Sequence, residues 1–234
     1  MEFRDKVVMI TGAAGNLGTA AAAAFGAAGA SLVLVDVDAI VLAQRYRLEK
    51  AAHACIAADL TDAASTQRAV AAAQQRFGRI DVLCNIAGGF RMGECVHETS
   101  GSTWSLMMNM NAATMLNAVQ AVVPLMLPAG GGKVVNIGAC AGQKGQGQMG
   151  AYSASKSVVI RLTESMASEL REKNINVNCV LPSILDTPQN RIDMPDVDPG
   201  RWVAPTDLAR VIVFLCSDAA RAVHGAALPV SGLS

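Results

Sequence analysis

The sequence predicts an α/β fold in which a seven-stranded parallel sheet is covered by helices on both faces. Apolar, β-branched runs alternate along the chain with helix-patterned segments, which is typical of parallel β-α-β units and of a doubly wound sheet. The chain has 234 residues, of which 52% are hydrophobic and 16% charged, so it can bury a sizeable core. No linker rich in Pro, Ser or charge divides the chain, and we therefore expect residues 1–234 to form a single domain.

The predicted strands are short apolar runs, and the predicted helices are the Ala-rich or amphipathic segments that separate them. We expect strands at Lys6–Thr11, Ser31–Val37, His53–Ala58, Asp81–Ile86, Lys133–Ile137, Ile175–Leu181 and Ala227–Val230. We expect helices at Leu17–Ala28, Ala39–Ala52, Asp62–Phe77, Thr103–Leu127, Tyr152–Lys173 and Pro205–Ser217. The stretch Pro182–Val203 holds four prolines and follows a strand, so we predict a substrate loop at about residues 183–203.

Composition excludes several classes of function. Lys+Arg and Asp+Glu are both 19, and this lack of a basic excess argues against a nucleic-acid partner. No uninterrupted apolar run is long enough to span a membrane, and the charged start does not resemble a signal peptide, so we expect a cytoplasmic protein without a membrane partner. The six cysteines lack metal-ligand spacing and only three histidines are present, which predicts reduced thiols and no metal site.

A cluster of small residues follows the first predicted strand. In the run Thr11-Gly12-Ala13-Ala14-Gly15-Asn16-Leu17-Gly18, backbone N–H groups and a helix N-terminus can approach a pyrophosphate, although a tight turn also needs glycine. Asp36 ends the second predicted strand, 18 residues after Gly18, where a carboxylate accepts hydrogen bonds from both adenosine ribose hydroxyls. It would repel a 2′-phosphate, so we infer NAD(H) over NADP(H) on a Rossmann-type fold. The competing role for Asp36 is a helix N-cap.

Tyr152 and Lys156 lie four residues apart at the start of a predicted helix, and this spacing places both on one face, one turn apart. An ammonium near a phenol favours the phenolate and lowers the pKa of the tyrosine. We therefore expect Tyr152 to exchange a proton with a substrate oxygen near neutral pH. A Tyr and a Lys at this spacing also occur by chance in many helices.

Together these features resemble the short-chain dehydrogenase/reductase family over nearly the whole chain. Asn85-Ile86-Ala87-Gly88 is similar to the family's Asn-Asn-Ala-Gly segment, Asn111 follows Trp104 by seven residues, and Tyr152 to Lys156 matches Tyr-x-x-x-Lys. The resemblance implies that Tyr152 is the acid/base, that Lys156 binds the nicotinamide ribose and tunes the tyrosine, and that Asn111 holds the water of a proton relay. It implies cofactor contacts from Gly12, Asn16, Leu17, Gly18, Asp36, Asp59, Leu60, Asn85, Ala87, Gly88, Tyr152, Lys156, Pro182, Ile184 and Thr187. It also implies a homotetramer or homodimer built partly by the helices Thr103–Leu127 and Tyr152–Lys173.

The sequence departs from the family pattern at three positions. Asn16 replaces a glycine of the turn, which we expect to survive because Asn tolerates left-handed backbone angles. Ser183 replaces the glycine that usually follows the proline at the strand end. Ala139 stands 13 residues before Tyr152, where the family has its catalytic serine, and losing one such donor costs roughly 2.7–4 kcal/mol of transition-state stabilisation. Cys140 would point the other way on an extended chain, so we interpret it as a packing residue.

Three functions remain open at this point. The first is an NAD(H)-dependent oxidoreductase that transfers hydride to or from a small carbonyl, alcohol or conjugated ring substrate. The second follows from Leu185–Pro195 and Ala139, which resemble dihydropteridine reductase, a branch of the family that reduces a quinonoid substrate with NADH. The third is a regulatory protein that binds NAD without catalysis, which the loss of the serine would allow.

Candidate substrate contacts are apolar residues near the predicted site, and packing is the competing role for each. They are Phe90, Ala139, Met149, Met194 and Trp202. Arg91 and Arg191 could bind an anionic or heteroaromatic substrate, or could be solvated surface charges.

Overall fold

A computed structural model of the protein describes residues 2–46 and 52–234. Its strands form one seven-stranded parallel sheet in the order β3-β2-β1-β4-β5-β6-β7, which confirms the predicted Rossmann-type fold class. The strands are β1 Val7–Thr11, β2 Ser31–Asp36, β3 His53–Ala57, β4 Val82–Asn85, β5 Gly132–Ile137, β6 Ile175–Pro182 and β7 Ala227–Val230.

Eight α-helices lie in the described part of the chain. They are α1 Asn16–Ala27, α2 Ala39–Arg45, α3 Ala63–Phe77, α4 Gly101–Met108, α5 Thr114–Met126, α6 Gly150–Leu170, α7 Pro188–Asp193 and α8 Pro205–Cys216. The helix predicted at Ala39–Ala52 is observed only as α2, and residues 47–51 of that prediction lie outside the described residues.

Apolar side chains fill both faces of the sheet. On one face, Phe25 of α1 and Ile212 of α8 belong to a buried cluster with alternate residues of the strands. On the other face, Val70 of α3, Val122 of α5 and Ile160 of α6 belong to a second cluster. Because side chains alternate along a strand, strands buried on both faces are apolar throughout, as the sequence of β1 is.

The strand order reverses beside β1, since β2 follows it on one side and β4 lies on the other. In open α/β sheets, ligands bind beyond the carboxyl ends of the strands at such a switch point. The sequence-predicted glycine turn, the Asn85–Gly88 segment and the Ala139 segment all follow carboxyl ends of strands in this sheet. No helix within residues 2–46 and 52–234 has the length and apolar character needed to cross a bilayer.

Candidate active site

The turn after β1 requires glycine at two positions. Gly12 has φ +64°, and a Cβ there would lie 2.9 Å from the backbone of Ala87. A Cβ on Gly18 would lie 2.1 Å from the carbonyl oxygen of Gly12. The hydroxyl of Thr11 accepts hydrogen bonds from the backbone N–H groups of Ile86 and Ala87 at 3.0 and 3.1 Å. The end of β1 is thereby tied to the end of β4, and backbone rather than side chains lines the turn.

The N-terminus of α1 fits the pyrophosphate of a dinucleotide. Gly15 is the N-cap and makes no side-chain capping hydrogen bond, and the first turn carries no acidic residue. The unpaired N–H groups of a helix start bind anions, which the helix dipole also favours. Asn16 is exposed and is the first residue of α1. It is not among the residues with positive φ, so this replacement of glycine requires no strained backbone.

Asp36 lies against the glycine turn and does not cap a helix. One carboxylate oxygen accepts from the N–H of Ala14 at 2.9 Å, and the other accepts from the N–H of Val37 at 2.8 Å. The N-cap of α2 is Asp38, whose side chain accepts from the N–H groups of Ile40 and Val41. The carboxylate of Asp36 is therefore fixed beside the glycine turn.

The remaining cofactor candidates include residues engaged in local structure. Asp59 is exposed and accepts two hydrogen bonds from Thr61, which hold the pKa of its carboxyl below its usual range. The side-chain N–H of Asn85 donates to Asn136 at 2.8 Å, and Asn136 in turn donates to the hydroxyl of Thr163 at 2.9 Å. This buried chain of side chains connects β4 to β5 and α6 beneath the site.

Lys156, Asn111 and the backbone at Gly88 converge at one point. A Cβ on Gly88 would lie 2.7 Å from the side-chain oxygen of Asn111 and 3.4 Å from Nζ of Lys156. Lys156 is buried, and its ammonium donates to the carbonyl oxygen of Ile137 at 2.8 Å. Tyr152 lies one turn before Lys156, close to the start of α6. The structure thus brings together three segments that the sequence-based interpretation grouped by resemblance.

The side-chain amide of Asn111 is almost fully occupied by protein. It accepts from the N–H of Gly89 and donates to the carbonyl of Gly89, both at 3.0 Å. Its second N–H donates to the hydroxyl of Ser155 at 3.0 Å, and that hydroxyl donates to the carbonyl of Tyr152 at 2.8 Å. Both amide donors are used, which leaves the second lone pair of the amide oxygen as the remaining position for a partner on this side chain. The relay water expected at Asn111 stays a prediction.

The helix predicted at Thr103–Leu127 is interrupted where Asn111 lies. Residues Asn109–Ala113 form a π-helical turn between α4 and α5, in which the N–H of Thr114 bonds to the carbonyl of Asn109. The hydroxyl of Thr114 donates to the carbonyl of Met110 at 2.8 Å. Asn109 is exposed whereas Asn111 is buried, and such π-turns often occur at functional sites.

Burial dominates the electrostatics of Tyr152 and Lys156. It raises the pKa of Tyr152 to about 12, to which the neighbouring Cys140 also contributes. It lowers the pKa of Lys156 to about 8. In this arrangement desolvation of the phenol prevails over the nearby ammonium, and Lys156 donates to the Ile137 carbonyl. That Tyr152 exchanges a proton near neutral pH stays a prediction.

The position of the family's serine offers no hydrogen-bond donor. Ala139 has an extended backbone and is buried, and Cys140 begins a short 3₁₀ turn at Cys140–Gly142. The thiol of Cys140 donates to the carbonyl of Leu181 at 3.1 Å, and burial raises its pKa. The thiol is therefore engaged with β6 and does not replace the missing hydroxyl.

Phe90 covers one side of the Tyr152 ring. The two rings meet edge to face with centroids 4.8 Å apart, and 55% of Phe90 remains exposed. Met149 is half-buried beside Glu94, with which it forms a β-bridge, and Met194 is half-buried at the end of α7. Trp202 is only 5% exposed, so it packs inside the fold and presents little surface to a substrate, contrary to its predicted role.

The predicted irregular loop at residues 183–203 is more ordered than expected. It contains α7, whose N-cap Thr187 accepts from the N–H of Asn190 at 3.1 Å. Arg191 forms a two-pronged ion pair with Asp186 at 2.6 and 2.8 Å, so its charge is already matched. Sequence reasoning took the four prolines as a sign of irregular structure, but Pro188 is the first residue of α7, a position that favours proline, and Thr187 caps the helix.

Two residues near the site were missed entirely. Ser155 connects Asn111 to the backbone of Tyr152, and Thr163 ends the chain of polar side chains from Asn85. For Ser155 a signal was present, since it lies within the Tyr-x-x-x-Lys segment. For Thr163 the sequence offers no signal, because its partner Asn136 is 27 residues away.

This fold and this cluster of Tyr, Lys and Asn beside a glycine turn define a class of dehydrogenases and reductases, and comparison with known proteins agrees. The family model described as short chain dehydrogenase matches residues 6–196. The chain belongs to the short-chain dehydrogenase/reductase family, and it is an oxidoreductase.

Relatives of the chain align over nearly its whole length. D-threitol dehydrogenase of Mycolicibacterium smegmatis is 35% identical over 245 residues, which cover 99% of this chain and 94% of that protein. 2,5-Dichloro-2,5-cyclohexadiene-1,4-diol dehydrogenase LinX of Sphingobium indicum is 31% identical, covering 97% and 95%. The crystal structure of carveol dehydrogenase from Mycobacterium avium in complex with NAD has a TM-score of 0.90 at 27% identity, covering 99% of this chain and 98% of that one.

Proposed function

We propose that this chain is an NAD(H)-dependent dehydrogenase or reductase that interconverts a small alcohol and its carbonyl compound, with residues 1–234 acting as one catalytic domain. The observation that carries the proposal is the convergence of Gly88, Asn111 and Lys156 one turn from Tyr152, at the carboxyl edge of the sheet. Two of its relatives, D-threitol dehydrogenase and the cyclohexadiene-diol dehydrogenase LinX, are named for substrates that carry alcohol groups. These names support an alcohol or diol as the substrate class.

Tyr152 is the proton donor in reduction. In oxidation its phenolate is the proton acceptor, which requires a pKa below the value of about 12 that burial gives the phenol. Its pKa of about 12 keeps the phenol protonated at neutral pH, as the reducing direction requires. Lys156, with a pKa of about 8, is still mainly charged at pH 7 and can hold ribose hydroxyls. A bound nicotinamide dinucleotide supplies or accepts the hydride. Hydrogen bonds of Asn111 and Ser155 connect the backbone of Gly89 to the backbone of Tyr152 in the first turn of α6. They fix the positions of these two segments relative to each other.

The choice of NAD(H) rests on Asp36 and on the turn that it faces. Its carboxylate accepts the N–H of Ala14 and so is fixed beside the glycine turn. A fixed negative charge there disfavours a 2′-phosphate. The neighbouring structure with NAD bound supports a dinucleotide cofactor.

The test is hydride transfer with purified protein on a panel of alcohols, diols and ketones, followed by NADH absorbance in both directions. We expect turnover on at least one alcohol–carbonyl pair. Tyr152→Phe should lower kcat by at least about 100-fold while the Kd for NADH stays within a factor of about two, because only the proton donor is lost. Binding of NADH without turnover on any substrate class would contradict the proposal. It would instead favour a regulatory protein that binds NAD without catalysis.

A second candidate substrate is a conjugated, quinonoid ring, and Ala139 favours it. Reduction of such a ring spreads the developing charge, so a second donor beside Tyr152 is not needed. We expect Ala139→Ser to raise the rate on a ketone, by up to about 100-fold, and to leave the rate on quinonoid dihydropterin unchanged. Ala141→Ser, at a buried neighbouring position, is the matched control. Turnover of ketones only would exclude the quinonoid candidate.

We also propose a homodimer or homotetramer in the cytoplasm. Trp104 and Leu106 of α4 and Leu116 of α5 expose apolar surface, and a self-association face would cover it. Light scattering coupled to gel filtration would measure the mass, and a mass near that of one 24.2 kDa chain would contradict the assembly.

A further inference from the structure

The segment Ser231–Ser234, which follows β7, is attached to Ser183 at the end of β6. The N–H of Ser183 donates to the carbonyl of Val230 at 3.2 Å, which extends the β6–β7 pairing by one residue. The hydroxyl of Ser183 donates to the carbonyl of Ser231 at 2.9 Å and lies 2.7 Å from the hydroxyl of Ser234. A glycine, the residue that usually stands here in the family, would make neither side-chain contact.

The same segment is attached on its other side to the end of the substrate loop. The N–H of Leu233 donates to the carbonyl of Arg201 at 2.9 Å, and the guanidinium of Arg201 donates back to the carbonyl of Leu233 at 2.8 Å. Gly232 has φ +58°, and a Cβ there would lie 2.9 Å from the carbonyl oxygen of Arg201. Residues 231–234 are therefore packed closely against Arg201 and Trp202.

The two ends of the substrate loop also pair directly. The N–H of Val203 donates to the carbonyl of Ile184, and the N–H of Asp186 donates to the carbonyl of Val203, both at 2.9 Å. Three segments, at residues 183–186, 201–203 and 231–234, thus form a closed set of contacts. Ser183 belongs to the first of them and lies between Pro182 and Ile184, two of the residues expected to face the nicotinamide.

We propose that Ser183 is a positioning residue for the nicotinamide end of the cofactor. By holding Ser231–Ser234, it fixes the stretch Pro182–Thr187 relative to the end of the substrate loop. The inference rests on the proposed use of NAD(H). It also explains why the fold accepts a serine at this position, since the hydroxyl of Ser183 is hydrogen-bonded to the neighbouring segment Ser231–Ser234. The adenosine end, which Asp36 and the glycine turn would hold, is outside this set of contacts.

The test compares two ligands that share the adenosine and the phosphates but differ in the nicotinamide. The Kd values of NADH and of ADP-ribose are measured by titration calorimetry for the wild type and for Ser183→Ala. We expect the variant to bind NADH about three- to tenfold more weakly, as the loss of one or two hydrogen bonds implies, and to bind ADP-ribose as the wild type does. We also expect the KM for NADH to rise more than kcat falls.

Two further variants keep the test specific. Gly232→Ala disturbs the same contacts from the other side and should show the same pattern, with NADH weakened and ADP-ribose unchanged. Ser217→Ala removes a hydroxyl that donates to the carbonyl of Phe214 after α8, away from these contacts, and should change neither Kd.

An unchanged Kd for NADH in Ser183→Ala would overturn the inference, and so would an equal loss for NADH and ADP-ribose, which would show a general structural role. A wild-type protein that binds neither ligand would instead overturn the proposed cofactor itself, so the two failures are distinguishable.

Discussion

At the scale of single residues, the site contains a few polar side chains that are hydrogen-bonded to other groups of the protein. Asn111 uses both amide donors on protein atoms, and Asp36 uses both carboxylate oxygens on backbone N–H groups. Buried polar groups that lack a partner are costly, so such saturation keeps each side chain in one orientation. The side chain of Asn111 therefore holds the Gly89 loop, and the proposed proton exchange is assigned to Tyr152.

The charge of Asp36 should control the choice between the two dinucleotides. Asp36→Asn keeps an oxygen that can accept the N–H of Ala14 but removes the negative charge. We expect the Kd for NADPH to fall on the order of tenfold, because the repulsion of the 2′-phosphate is lost, while the Kd for NADH changes little. Fluorescence titration with both cofactors measures the ratio.

Asp38→Asn is the control for this substitution, since Asp38 caps α2 and Asn is an equally good cap. The ratio of the Kd for NADPH to the Kd for NADH in Asp38→Asn should equal that of the wild type. If Asp36→Asn leaves the ratio unchanged, Asp36 does not set the cofactor preference.

At the scale of elements, the site is built from the ends of strands and the first turns of helices. The glycine turn joins β1 to α1, Asp36 ends β2, and Tyr152 and Lys156 lie in the first two turns of α6. The π-turn at Asn109–Ala113 is the exception, because it lies inside a long helix and turns Asn111 inward while Asn109 faces solvent. The fold and the chemistry therefore depend on the same few junctions.

Two glycines of α1 should respond in opposite ways to the same substitution. In Gly18→Ala the new Cβ would lie 2.1 Å from the carbonyl oxygen of Gly12, whereas in Gly26→Ala the nearest atom is a Leu32 side-chain carbon at 3.8 Å. We expect Gly18→Ala to lower the free energy of unfolding by more than about 2 kcal/mol and to abolish NADH binding. We expect Gly26→Ala to raise that free energy by about 0.5–1 kcal/mol through helix propensity.

Urea unfolding of both variants measures these differences, and NADH titration shows which of them keeps the site. Equal stability of the two variants would mean that the close approach of α1 to the β1 turn is relaxed at little cost.

At the scale of the whole molecule, the buried Lys156 links stability to pH. Burial lowers its pKa in the folded protein to about 8, from the ordinary lysine value of 10.5 that applies in the unfolded chain. Between these two values the unfolded chain holds a proton that the folded protein has released, so folding stability rises with pH over this interval. Across the full interval the rise amounts to about 3 kcal/mol.

Lys156→Met removes this dependence while retaining an unbranched side chain. The difference in unfolding free energy between the wild type and the variant should therefore change from pH 8 to pH 10.5 in favour of the wild type. Tyr152 and Cys179, whose pKa values burial raises to about 12 and about 11, oppose the trend at high pH but are present in both proteins. Chemical denaturation at several pH values gives the difference. A pH-independent difference would mean that Lys156 keeps its ordinary pKa in the folded state.

The sequence by itself determined the fold class, the succession of the seven strands along the chain, the glycine turn and the spacing of Tyr152 and Lys156, although it missed α7 and the π-turn between α4 and α5. These features depend on local patterns: apolar runs form strands, a positive φ requires Gly12, and a four-residue spacing stacks two side chains on one helix face. It also identified Asp36, although not whether this residue caps a helix.

The tertiary structure alone decided what each side chain contacts. Lys156 bonds to Ile137, Asn111 to Gly89, and Ser183 to Ser231, across 19, 22 and 48 residues of sequence. Such contacts arise only when the sheet and its helices pack, and burial in that packing then shifts the pKa of the Tyr152 phenol in the direction opposite to the one its spacing from Lys156 predicted. Local spacing places two groups near each other, but the surrounding dielectric and the competing hydrogen-bond partners decide how they interact.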